Sequence, residues 1–360
     1  MAPRRTTLQE LFLYNDWANT QTLDAAQGLT DAQLDQPFEM GLKTMRLTLR
    51  HIHDAEAIWL ARWKGASTKF PPETDRPSVD VIRRRMMETA AERDAYLAER
   101  GAAAERESIS YSDTKGNAYR HALGDLMLHV ANHGVHHRAQ VRNMLRAFGA
   151  ELPMVDYLRM RVSHPTFRVS PTARATIDEF GMGPVDEPVE PCDFDVETLA
   201  TWLEYGDAMT RKILNAAASL SEADLDRPFE MGMGNLRKTL THILDAEVWW
   251  QGNWSGTPDD GFQKLPETMP RNEIIGKLDM VGAERRRLMG GWDDQSVIEP
   301  IACYFRPGKR MEFLRGESAI QLGMHGTHHR AQAVNMLRRL GAPPPVVDYI
   351  VWVRDTTPGH

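Results

Sequence analysis

The stretch HGVHHRAQVRNMLR, starting at His133, returns as HGTHHRAQAVNMLR, starting at His325. Imidazole ligates transition metals while neutral and exchanges protons near pH 7. Three such rings within five residues, written twice in one chain, therefore raise metal binding first and acid–base work second. Residues three or four apart are neighbours on an α-helix, so His133 can share an ion with His136 or with His137. Phase separates these two. His137 falls in register with Leu126, Val130, Val141, Met144 and Phe148, an apolar stripe that must face an interior, whereas His136 aligns with His129, Asn132, Gln140 and Asn143. In the second copy His329 keeps company with Leu322, Ala333, Met336 and Leu340, and His328 with Gln321, Gln332 and Asn335. The inward pairs are His133 with His137 and His325 with His329.

A metal wants further ligands, and outside this helix the histidine that both copies share is His51, matched by His242. His53 is matched by Leu244, which sets it aside. His51 lies one turn from Leu47 and Ala55, so it too is expected to look inward. Any single histidine on an apolar face is ordinarily a hydrogen-bonded core residue. Two complete sets on matching faces favour two three-histidine metal sites, His51, His133, His137 and His242, His325, His329. Three neutral imidazoles leave at least one coordination position for water or substrate, the arrangement of catalytic zinc.

Asp54 and Asp245, three residues after the first histidine of each set, are candidates to bond a ligand imidazole. Glu56 and Glu247 are similar candidates. Trp59, Trp63, Trp249, Trp250 and Trp254 read as core that could also wall a pocket, and Tyr111 and Tyr304 as polar groups at its mouth. No glycine-rich phosphate loop, serine nucleophile elbow or CxxC occurs. Catalytic residues beyond the metal ligands stay unassigned.

The elements that position these residues are also duplicated. LTDAQLDQPFEMG at Leu29 returns as LSEADLDRPFEMG at Leu220, TLRHIHDAEAIW as TLTHILDAEVWW, and VDYLRMRV as VDYIVWVR. His51 and His242 are 191 residues apart and His137 and His329 are 192, so about one net insertion separates the copies. Residues 1–163 and 193–360 are the two domains, and the Pro-rich 164–192 is a linker. Helical periodicity predicts a first helix over 7–28 and a second over 44–64. Ser78 would cap a third that Gly101 ends; Asn272 and Gly290 punctuate its counterpart, and a long fourth helix carries the paired histidines. SISYSDTKGNAY and IACYFRPGKRME read as hairpins before that fourth helix. The fold expected is all-α: two tandem up-down-down-up four-helix bundles, each with a minor β-hairpin before its fourth helix.

The chain has 360 residues, a formal charge of −7 and a hydrophobic share of 42%, enough for ordinary cores without a global basic field. Nucleic acid is not an expected partner. No membrane span and no signal-peptide core is apparent, and two cysteines, Cys192 and Cys303, are too few for a disulfide framework. A cytoplasmic protein is expected.

The segments LRHIHDAEAIW with HGVHHRAQ, and LTHILDAEVWW with HGTHHRAQ, resemble the DinB family of metal-dependent four-helix bundles, nearly end to end in each repeat. The family's three metal histidines fall on the same six positions named above. Its members are often dimers of single-domain chains, so the tandem form implies an internal pseudo-dimer and a monomer in solution. Characterised relatives are largely thiol-dependent, among them bacillithiol transferases and mycothiol-dependent maleylpyruvate isomerase. The resemblance thus implies a thiol-dependent S-transferase or isomerase acting on a small molecule. Its cofactor would be a divalent metal, zinc first with nickel, iron and manganese as alternatives, and its cosubstrate a low-molecular-weight thiol. The alternatives are metal-assisted hydrolysis, with Asp54 or Glu56 as base, and a stress-related metal-binding protein without catalysis.

Overall fold

The computed structural model describes residues 4–66, 69–72, 74–150, 152, 154–163, 192–256, 264–306 and 309–356, with backbone alone at 304–306 and 309–310. The expected linker, apart from Cys192, lies outside them.

The helices begin where side chains can satisfy their first N–H groups. The Thr44 hydroxyl accepts from Leu47 N–H, Asn235 Oδ1 from Lys238 N–H and Ser78 Oγ from Val81 N–H. The first repeat builds α1 (Thr7–Ala26), α2 (Met45–Trp63), α3 (Val79–Arg100), the hairpin β1 (Ser108–Ser112) with β2 (Ala118–Ala122), α4 (Leu123–Arg146) and the short α5 (Tyr157–Ser163). The second builds α6 (Val196–Ala216), α7 (Leu236–Trp254), α8 (Arg271–Met289), β3 (Pro300–Arg306) with β4 (Lys309–Leu314), α9 (Arg315–Arg339) and α10 (Tyr349–Thr356). Both hairpins are antiparallel and immediately precede the long histidine-bearing helix. The fold is therefore predominantly α-helical, two tandem bundles with a small hairpin in each.

Two helix ends show how far local chemistry reaches. Gly101, at φ 71°, closes α3 as expected, because a left-handed residue stops the helix without a Cβ clash. Asn272 does not cap α8. The helix starts at Arg271 behind Pro270, whose φ of −59° is already fixed near the helical value, and Asn272 lies within the first turn.

The chain divides into two compact units that do not coincide with the repeats. One comprises Leu11–Pro153 with Val346–His360, the other Met1–Glu10 with Met154–Pro345. The first, containing His51, His133 and His137, is called here the first-triad unit. It takes α10 from the end of the second repeat, where Tyr349 donates to Asp125 (3.1 Å) and Arg354 to the Tyr111 hydroxyl (3.0 Å). The second-triad unit takes α5, where Tyr157 donates to Glu10 (3.0 Å) and Arg161 bridges Glu317 (2.7 Å) and Glu10 (3.1 Å). Each short helix thus delivers buried polar anchors.

Within each unit the second and fourth long helices pair. In the first-triad unit Leu49, Ile52 and Ile58 of α2 are buried, as are Leu126, Val130, Val141 and Met144 of α4. Each such side chain contributes roughly 1.5–3 kcal/mol on burial. A buried ion network ties α3 to the same frame: Arg93 pairs with Glu56 of α2 and Asp16 of α1. Arg285 repeats this with Glu247 and Asp207. Among the described residues no helix is long and apolar enough to cross a membrane.

Candidate metal centres

The apolar stripe of α4 carries His137 inward, and α2 presents His51 opposite it. His51 Nε2 lies 3.2 Å from His133 Nε2, and the ring centroids of His51, His133 and His137 are 4.3–5.0 Å apart. The second-triad unit reproduces this with His242, His325 and His329, centroids 4.5–4.8 Å apart. In each set one nitrogen per ring comes within 4.8 Å of the others. Tetrahedral zinc with bonds of 2.0–2.1 Å would want nitrogens roughly 3.3 Å apart, so small side-chain adjustments suffice. The six positions read from the sequence are thus gathered into two clusters with the capacity to coordinate a divalent metal.

The protonation states fit that capacity. Burial holds His51, His242, His133 and His137 below the ordinary imidazole value, the last two well below it, and His325 at about 3. Each is then neutral with a lone pair to give. His325 Nε2 is buried with no hydrogen-bond partner in the protein, an uncompensated polar atom that a cation would satisfy. All six histidines are part-buried residues.

Two groups unassigned from the sequence complete the sites. Gln140 Oε1 lies 2.8 Å from His137 Nδ1, and Gln140 Nε2 lies 3.0 Å from His136 Nε2. A carbonyl oxygen can only accept, so Nδ1 of His137 carries the hydrogen and Nε2 keeps the lone pair. Gln332 does the same between His329 (2.8 Å) and His328 (3.1 Å). The HHRAQ segment is therefore one device: a histidine of the cluster, its flanking histidine and the amide that links them. The flank read as polar is in fact mostly buried, since His129, Asn132, Gln140 and Asn143 are each at most 6% exposed. Phe70, in the connection between α2 and α3, stacks on His51 at 5.4 Å. The phase of Gln140 beside His136 was the available signal for the first; nothing local announced the second.

The carboxylates behave differently from expectation. Asp54 does not bond His51; its oxygens meet His53 Nδ1 (2.9 Å) and Arg50 Nε (3.1 Å), because its own helix offers those nitrogens first. Asp245 accepts from Leu265 N–H at 2.7 Å. Glu56 and Glu247 are held by Arg93 and Arg285, and burial pushes both carboxyls up despite those arginines. Trp59, Trp63, Trp250 and Trp254 are core, while Trp249 is only half-buried. Tyr111 is buried against His121 and Arg354; the side chain of Tyr304 lies outside the described residues.

Comparison with known proteins agrees with this picture. The chain is 19% identical over 156 residues to Protein DinB of Bacillus subtilis (strain 168), an alignment covering 41% of this chain and 90% of that protein. No solved structure gives a significant match. The DinB family matches twice, over residues 4–169 and 195–358, each match containing one complete histidine cluster, and the chain belongs to the DinB family.

Proposed function

We propose that this protein is a metal-dependent enzyme in which each histidine triad holds one divalent ion, zinc by preference for three nitrogen ligands, and that it transfers or isomerises a small substrate with the help of a low-molecular-weight thiol. The observation that carries the metal assignment is the Gln140–His137 and Gln332–His329 pairing, which fixes the tautomer a metal ligand needs in both units. An ion bound there would act as a Lewis acid, lowering the pKa of a thiol or water near neutral pH.

The protein's own groups supply the rest. His51 and His133 converge from α2 and α4, and the buried Arg93 network ties α2 to α1 and α3. The three histidines of each set are only part-buried, which supports an approach for a small molecule and turnover over a purely structural ion. Hydrolysis by a protein base is less favoured, because Asp54 and Glu56 are both committed to arginines. Cys192 and Cys303 are buried, and burial pushes the Cys192 thiol well up. The nucleophilic thiol is therefore external.

Conjugation of a small electrophile should require added thiol, vanish with a chelator and return with metal. A Cys192→Ser, Cys303→Ser variant should keep this activity. Equal metal-dependent turnover without thiol would refute the thiol reading in favour of hydrolysis.

A further inference from the structure

The two histidine clusters are alike, but the connection between the second and third long helices brings a different side chain to each. The segment PPET at 71–74 matches LPET at 265–268, so Phe70 and Lys264 hold the same place in the two repeats. Phe70 lays its ring on that of His51, with centroids 5.4 Å apart and planes 24° apart, yet it remains 41% exposed. The backbone beyond it is pinned, since the Arg50 guanidinium donates to the carbonyls of Pro72 (2.9 Å) and Asp75 (2.6 Å). An aromatic ring is thus fixed against a histidine of the first cluster with part of its surface free to pack on an incoming group.

The second cluster is bordered otherwise. Leu265 N–H donates to Asp245 at 2.7 Å, one turn along α7 from His242, whereas its match Pro71 has no N–H to give Asp54. That bond seats the preceding residue, Lys264, beside the cluster, where its charge opposes protonation of both His242 and Asp245. Lys264 is exposed and forms no salt bridge among the described residues. The carboxylates around it have other partners: Asp245 accepts from Leu265, and Glu267 pairs with Lys238 at 2.6 Å. At the first cluster the cation that His51 feels is Arg50, which is buried and committed to Asp54 and to the two carbonyls.

We propose that the two centres select different substrates: the first takes a molecule whose aromatic group packs on Phe70, and the second takes one whose anionic group is met by Lys264. The inference rests on the function proposed above, in that both molecules approach an ion held by a triad, and it adds what the neighbour of each ion chooses. A phenyl ring offers an apolar face and an ammonium a compact point charge, so one scaffold with one set of ligands serves two classes of molecule.

Calorimetric titration of the zinc-loaded full-length protein tests this with benzyl mercaptan, mercaptoethanesulfonate and their alcohol counterparts, benzyl alcohol and isethionate. Each thiol should saturate one tight site per chain. Phe70→Ala should weaken benzyl mercaptan about three- to tenfold and leave mercaptoethanesulfonate unchanged, and Lys264→Gln should do the reverse. Both variants should keep the zinc content of the wild type by elemental analysis, which separates selection from a merely structural role. If the alcohols bind as tightly as the thiols, with the same dependence on Phe70 and Lys264, the selection stands and the thiol reading falls. No saturable binding by any probe, variants that weaken both side groups alike or neither, or loss of zinc from Phe70→Ala would overturn the inference.

Discussion

Gln140 and Gln332 decide which nitrogen of His137 and His329 faces the cluster. Replacing both with leucine removes the acceptor without adding charge, and the loss of such a partner typically weakens metal affinity about 10–100-fold. Competition against a chromophoric chelator should show that drop with the fold intact. His129 gives a residue-scale test in acid. Burial holds it at about 3, against about 6.5 for an unperturbed histidine. Below pH 6.5 the unfolded chain takes up a proton that the native protein refuses, so stability falls as pH falls, by about 2 kcal/mol at pH 5 from this residue. His129→Gln, the residue the second repeat has at Gln321, should therefore narrow the gap between urea midpoints at pH 7 and pH 5. An unchanged gap would mean that His129 protonates in the native protein.

At the scale of elements, the loop before each second helix is built around the sites. Gly41 and Gly232 have φ of 55° and 56°, and a Cβ at Gly41 would stand 2.9 Å from Gln140 Oε1 and from Thr48 Oγ1. Gly41→Ala should cost about 1–2 kcal/mol for the left-handed backbone and also weaken the first metal site. Gly28→Ala, where a Cβ meets nothing within 4 Å, should do neither. Arg93→Met would leave Glu56 buried without its cation, a change that commonly costs about 3–5 kcal/mol, and thermal melts should register it. The helices were legible because caps and apolar period agree, as at Thr44 and Ser78. The start of α8 was not, since Pro270 outcompetes the nearby asparagine. The six clustered histidines were legible because two diverged copies kept the same phase. The fate of Asp54 was not, because spacing cannot tell that Arg50, one turn earlier, reaches it first.

At the scale of the whole molecule, VDYLRMRV and VDYIVWVR were visible as repeats, yet their places were not. Contacts such as Tyr349 with Asp125 span more than two hundred residues and leave no local trace. A fragment of residues 1–163 would lack α10, and with it the anchors to Asp125 and Tyr111. It should melt well below the full chain and recover when a peptide of residues 346–360 is added; full stability in the fragment alone would count against the unit division. The central claim is that both triads hold metal, and elemental analysis of the purified, metal-saturated protein addresses it most directly. Two ions per chain are expected, with one left in His137→Ala or in His329→Ala and none in the double variant. Two ions retained in the double variant, or none in the wild type, would contradict it.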